Sequence, residues 1–320
     1  MKIGVFTVLF SQQSFEDALD YIKSKGVQAV EIGTGGYPGN AHCPLDELLA
    51  SASARKAFVS AIESRGLILD AFSCHGNPLH PDKAFAAKEQ ETFTKTVRLA
   101  NLVGVERVNT FSGCPGDSDQ STAPNWVTCP WPDDFTKILD WQWAEKVIPY
   151  WKAQNAFLEE NNVKACLEMH PGFVVYNPET MLKLHKAAGK NVGANFDPSH
   201  FWWQGIDPVY AIRSLGDCIY HFHAKDVKVD EANTKTNGVL DTKPYSDEIH
   251  RSWVFRTVGY GHDFGTWKDI ISNLRMVGYD WVISIEHEDS IMSVNEGFER
   301  AVELLKTVVF QETPGEMWWA

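Results

Sequence analysis

Four short apolar runs in the second half of the chain each end in side chains that can bind a cation or move a proton. ACLEMHP puts Cys166, Glu168 and His170 on one face of a strand, because strand side chains alternate with period two. GANFDPSH pairs Asn195 with Asp197, and His200 follows just beyond. YHFHAKD aligns His221, His223 and Lys225, and ISIEHED aligns Ser284, Glu286 and Glu288. One polar strand end carries no message, since strand ends are solvated. Four in succession, each after an apolar stretch, would be costly to bury unless they were paired or held a cation. Glu168, Asp197, His223 and Glu286 form a hard, oxygen-rich, negatively charged set. It suits one divalent ion, Mn²⁺ first, with Mg²⁺, Co²⁺ and Zn²⁺ compatible.

Such residues converge only if parallel strands aim their C-terminal ends at one point. The pattern predicts strands over 2–8, 29–33, 67–75, 107–111, 164–169, 192–197, 219–226 and 281–288. Between them it predicts helices: one capped by Ser14, then 52–65, 86–103, 141–161, 178–188, 208–215, 266–277 and 294–308. Six of these helices stop at a glycine just before the next strand: Gly26, Gly66, Gly104, Gly189, Gly216 and Gly278. Eight strands and eight helices in strict alternation predict a (β/α)8 TIM barrel. A doubly wound nucleotide-binding sheet would need a glycine-rich loop after the first strand, where this chain has VLFSQQS. The barrel domain is expected to span 1–309, leaving 310–320 as a tail. Residues 112–140 and 227–264 exceed ordinary connections and follow the fourth and seventh strands, so both should rise over the catalytic face.

Composition narrows the partners. The 320 residues carry 42 acidic against 29 basic side chains, a formal charge of −13, which argues against nucleic acid or an anionic membrane as partner. No apolar run is long enough to span a bilayer. Six scattered cysteines without CxxC spacing predict reduced thiols in a cytoplasmic protein.

The strand-end set Glu168 in LEMHP, Asp197 and His200 in FDPSH, His223 in HFHAKD and Glu286 in ISIEHED resembles the xylose isomerase-like barrel superfamily. This is the group of sugar phosphate isomerases and epimerases that also contains endonuclease IV. The resemblance runs over essentially the whole chain. In the ketose 3-epimerase and inosose dehydratase branches the matching residues bind one catalytic metal, which implies that role for Glu168, Asp197, His223 and Glu286. It also makes His200 a contact for substrate or for a second metal. The endonuclease branch adds histidine ligands, one of them on the fourth strand. Here the third strand does end in His75, but the fourth reads RVNTFSG.

The implied reaction is isomerisation or epimerisation of a sugar or keto-sugar through an enediolate. A lyase or hydratase acting on a keto-glycoside is the alternative, and a non-catalytic sugar-binding barrel a third. Glu168, His170 and Glu286 are the candidate catalytic residues. The epimerase branch uses two metal-binding glutamates, whereas the His of LEMHP resembles branches that eliminate or cleave, including the catalytic subunit of C-glycoside deglycosidases. His170 reads equally as a partner that orients a ligand. Lys225 either polarises a substrate oxygen or balances the carboxylates. Glu31 has two readings as well, a sugar-hydroxyl contact or a rim salt bridge.

Candidate substrate contacts are His75, His200, Lys225, Trp126, Trp203 and Arg256. Trp126, Trp131, Trp202, Trp203 and Trp253 all fall in strand-to-helix connections, where a flat aromatic face packs well on a sugar ring and serves equally to anchor the loop. The tail ends in Met317, Trp318 and Trp319, large apolar groups that should dock either on this barrel's base or on another subunit. The two exposed insertions and the family resemblance point to a homo-oligomer, dimer or tetramer, and a hetero-subunit is compatible.

Overall fold

The computed structural model describes residues 1–319. Strands β1 (Lys2–Phe6), β2 (Ala29–Gly33), β3 (Ile68–Ser73), β4 (Arg107–Phe111), β5 (Lys164–Glu168), β6 (Val192–Phe196) and β7 (Ile219–Ala224) run parallel. After the short strands β8 (Asp226–Val229) and β9 (Trp253–Arg256), β10 (Val282–Ile285) completes the ring. β10 pairs with both β1 and β7, so the sheet closes on itself and leaves no edge. The predicted (β/α)8 barrel is what forms.

The outer helices begin at the residues whose chemistry demands it. Ser14 caps α1 (Phe15–Ser24) by accepting from the Asp17 N–H. The short α2 (Leu45–Ala50) follows, then α3 (Ala52–Glu63), capped by Ser51, and α4 (Lys83–Val103), capped by Asp82. α5 (Asp133–Trp141) passes through a wide π turn (Gln142–Val147) into α6 (Ile148–Glu160). Asn177 caps α7 (Pro178–Ala188) in a reciprocal capping box with Thr180. α8 (Ser199–Trp202), α9 (Pro208–Leu215), α10 (Glu231–Asn237), α11 (Phe264–Met276) and α12 (Val294–Val308) complete the order. All six glycines expected to stop helices have positive φ.

Two expected element bounds need correction, and two features go beyond what was expected. β1 ends at Phe6, and Thr7–Phe10 forms a 3-10 turn rather than more strand. Arg107 opens an unchanged β4, but the helix after it begins at Asp133, not 141, because Pro132 and two acidic residues favour an N-terminus there. Pro149 has no N–H to give back to the preceding turn, and the π segment lies directly before it. The long connection 227–264 carries structure of its own: β8 and β9 form an antiparallel hairpin over the barrel mouth with α10 between them.

Asp226 ties that hairpin to the barrel. Its carboxylate accepts from the N–H groups of Gly259, Gly261 and His262 and from the Trp267 indole. A side chain at Gly261 would sit 2.2 Å from the Val227 carbonyl oxygen, so only glycine lets the chain return this closely. Trp203, Val227, Trp253 and Phe255 form a small separate apolar cluster under the hairpin, while the main core lies between strands and helices. All six cysteines are unpaired. Among the described residues, no helix is long and apolar enough to cross a membrane.

Candidate active site

The barrel interior is polar along much of its length, and that polarity is layered. Near the N-terminal end, Asp70 accepts from His221 Nε2 at 2.7 Å and from the Trp281 indole. One layer up, Glu31 gathers hydrogen bonds from the Ser73 hydroxyl, from Asn109 Nδ2 at 2.9 Å and from the Ser284 hydroxyl at 2.7 Å. His223 lies above it. Its Nε2 is 3.0 Å from each Glu31 oxygen, while its Nδ1 faces Glu168 at 3.3 Å and Glu286 at 3.1 Å. Glu31 is therefore neither a sugar contact nor a rim salt bridge. It is fully buried beneath the site and holds His223 in place.

The uppermost layer is the predicted one. Glu168, Asp197, His223 and Glu286 each offer an atom, and these atoms all lie within 4.8 Å of one another. Ligands about 2.1 Å from a shared octahedral ion lie roughly 3 to 4.2 Å apart, so the cluster is close to cation-binding dimensions. Asp197 Oδ2 is buried and has no hydrogen-bond partner, although His200 Nε2 lies 3.2 Å away. A buried acceptor left in this state, beside two further carboxylates, is what a divalent cation would satisfy. The donor set fits such an ion.

The surrounding cations respond to the same crowding. Burial opposes charge on His200, but Asp197 and Glu168 outweigh it and push its pKa up to about 9. Burial likewise opposes charge on His223, yet Glu31 and Glu286 hold it well above the ordinary histidine value. Burial alone would raise Glu168, but contacts with His200, His223 and His75 keep it well below the usual carboxylate range. Lys225 is held charged despite burial by Glu286, Glu288 and Asp197, and its Nζ lies 2.5 Å from Glu288 Oε2 and 3.4 Å from Glu286 Oε2.

His170 behaves in the opposite way. Burial and the neighbouring His200 charge push its pKa down to about 3, so it is neutral. One nitrogen, Nδ1, lies 2.7 Å from the Pro171 carbonyl. With Nδ1 assigned as the protonated nitrogen, Nε2 keeps a free lone pair.

Of the candidate substrate contacts, His75 and Lys225 line the pocket at the barrel mouth with Glu168, His170 and Glu286, beside the aromatic side chains Phe6, Tyr37 and Phe111. His200 packs against its floor, 3.0 Å from Glu168. Trp126, Trp203 and Arg256 are not among the lining residues. Trp203 stacks on Trp253 at 5.0 Å, Trp126 meets Tyr176 edge-on, and Arg256 pairs with Asp289 at 3.0 Å, so all three anchor loops. Trp202 is stacked on His262, and Trp131 is 74% exposed. Apart from Trp131, the loop tryptophans secure the long connections here, and phenylalanines at strand ends build the wall.

Asp70, Ser73 and Asn109 escaped the sequence reading as site residues, and Glu31 was singled out but for contacts other than the one it makes with His223. Part of their signal was present: each is a polar side chain inside an apolar strand, in AVEIG, ILDAFS and RVNTF, but Asp70 and Ser73 are three residues apart and both face inward only because the pairing with β2 skips Asp70.

Comparison with known proteins agrees with this architecture. Residues 19–308 match the family described as the xylose isomerase-like TIM barrel. An uncharacterised protein of Bacillus subtilis, YfiH, is 40% identical over 97% of this chain and 100% of its own length. Two solved structures share the fold. The probable 3-DHS dehydratase AsbF of Bacillus anthracis has a TM-score of 0.67 and 18% identity, covering 96% of this chain and 99% of that one. The 3-keto-D-glucoside 4-epimerase YcjR of E. coli has a TM-score of 0.65 and 14% identity, covering 96% and 99%.

Proposed function

The chain belongs to the xylose isomerase-like TIM barrel family, and from that premise we propose that it is a divalent-metal-dependent isomerase or epimerase of a sugar or keto-sugar. The observation that carries this reading is the convergence of Glu168, Asp197, His223 and Glu286 within 4.8 Å at the barrel mouth. Bound there, a divalent cation supplies a Lewis acid that polarises a carbonyl oxygen and so acidifies the neighbouring C–H. Mn²⁺ is the ion this hard donor set suits first.

The chain's own groups support the rest. Neutral His170 lines the pocket with a free lone pair, as a group receiving a carbon-bound proton must. Glu286, held by Lys225, is the candidate for returning a proton from another direction. His75 and Lys225 are suited to donate to substrate oxygens, and Phe6 and Phe111 give an apolar wall for sugar C–H faces. The fold neighbours named as a sugar-derivative epimerase and a dehydratase favour chemistry of this kind.

A second reading, a lyase or hydratase on a keto-glycoside, is favoured by one feature: the group beside Glu168 is a neutral imidazole outside the four-residue cluster rather than another carboxylate. Elemental analysis of protein purified without chelator should find about one metal per chain, and Glu286→Gln should lose it. Incubation of the loaded enzyme with free ketoses and 3-keto-glycosides in D₂O separates the reactions. Solvent deuterium in an intact sugar marks isomerisation or epimerisation, and a released aglycone or hydration product marks the lyase. No metal and no exchange with any substrate would refute both.

A further inference from the structure

Period two along ISIEHED puts Glu286 and Glu288 on one face, yet only Glu286 belongs to the cluster with Glu168, Asp197 and His223. Glu288 lies one step further out, half exposed at the barrel mouth, and its Oε2 is 2.5 Å from Lys225 Nζ. Lys225 follows β7, the strand paired with β10, and its side chain is buried. The same ammonium lies 3.4 Å from Glu286 Oε2 and 3.9 Å from Asp197 Oδ2. One protein cation thus reaches two residues of the proposed ligand set. The shortest of its three contacts is the one outside that set.

An ammonium and a divalent cation are rivals for the same oxygens. At such separations in a buried site their repulsion is strong, because little water screens it. Lys225 cannot simply leave. Its stem is enclosed, and its Nζ sits 4.3 Å from the ring centroid of Phe255, itself buried. A buried ammonium also needs a carboxylate to balance it. Of the three it touches, Glu288 alone is free to do so once Glu286 and Asp197 turn to a metal.

We propose that Glu288 is a positioning residue that keeps Lys225 from competing with the metal. The inference rests on the four-residue cluster being a metal site. Without metal, Lys225 balances Glu286, Asp197 and Glu288 together; when a divalent cation enters, Glu288 keeps the ammonium and releases the other two carboxylates. Metal affinity is then set in part by a residue that never touches the metal. Lys225 stays on the pocket wall, where Glu288 also lies.

Calorimetric titration of the chelator-treated full chain with Mn²⁺ tests this. Glu288→Gln should weaken binding about tenfold, because Lys225 then rests on Glu286 and Asp197 alone. Glu288→Asp keeps the charge and should retain most of the affinity. Lys225→Met removes the rival, so binding should be at least as tight as in the unaltered protein. Adding Glu288→Gln to Lys225→Met should then cost less than about threefold. Equal losses from Glu288→Gln with and without Lys225 would show Glu288 acting through its own charge and overturn the proposal. No loss from Glu288→Gln, or weaker binding by Lys225→Met, overturns it as well. Should Lys225→Met fail to fold, a crystal structure of Glu288→Gln decides: Nζ in contact with Glu286 or Asp197 supports the proposal, and Nζ turned to solvent overturns it. An unaltered protein that binds no Mn²⁺ overturns the metal reading itself.

Discussion

Both carboxylate oxygens of Glu31 lie 3.0 Å from Nε2 of His223, on the opposite side of the ring from the Nδ1 that faces Glu168 and Glu286. This contact fixes the ring's orientation and keeps a proton on Nε2, so that Nδ1 is the nitrogen that would give up its proton to a cation. Glu31 is fixed in turn by Ser73, Asn109 and Ser284, which come from three other strands. Glu31→Gln should therefore lower metal affinity by about 10- to 100-fold. Competition with a fluorescent chelator measures it, and unchanged affinity would show that the ring is held by packing alone.

His170→Asn separates chemistry from metal binding. The residue lies outside the Glu168–Asp197–His223–Glu286 cluster, so metal content should be retained. Loss of a general base should lower kcat by about 10²- to 10⁴-fold with little change in KM. If metal is lost along with activity, the residue's role is to position Glu168.

The pH dependence of the metal-free protein follows from His200. Burial opposes its charge, but Asp197 and Glu168 prevail and lift its pKa to about 9 in the folded chain. A raised folded-state value means that its contribution is fully present below the unfolded histidine pKa of about 6.5. It is lost as pH rises through about 9. Melting temperatures in chelator should therefore fall over that range. Added Mn²⁺ should flatten the fall, because a cation then balances Glu168 and Asp197 in place of the imidazolium. Parallel melting curves with and without metal would exclude the linkage.

The tail lies on its own barrel at first, with Met1 donating to the Phe310 carbonyl and Arg275 to that of Glu312, but its two tryptophans do not. Trp318 is 88% exposed and Trp319 69%, and the two rings pack edge-on against each other. The other expected destination is a second subunit, and truncation tests it. Deleting residues 314–320 should reduce the assembly mass measured by light scattering, and an unchanged mass would rule out the intersubunit role.

The sequence by itself determined the barrel and the four strand-end residues. Alternation along LEMHP, FDPSH, HFHAKD and ISIEHED is a local property: once β5, β6, β7 and β10 lie parallel, period two alone turns Glu168, Asp197, His223 and Glu286 toward one axis. Helix boundaries set by a local side chain were legible for the same reason, as with Asn177 before α7 and Asp207 before α9. What surrounds that set was decided by tertiary structure. Glu31 and His223 are 192 residues apart, and Asp70 and His221 are 151 apart, so only closure of the barrel brings them together. The loop tryptophans were open for the same physical reason. An indole is equally suited to cover a sugar or to anchor a loop, and the partner that decides, Trp253 for Trp203 and Tyr176 for Trp126, arrives only when the connections fold over the barrel mouth.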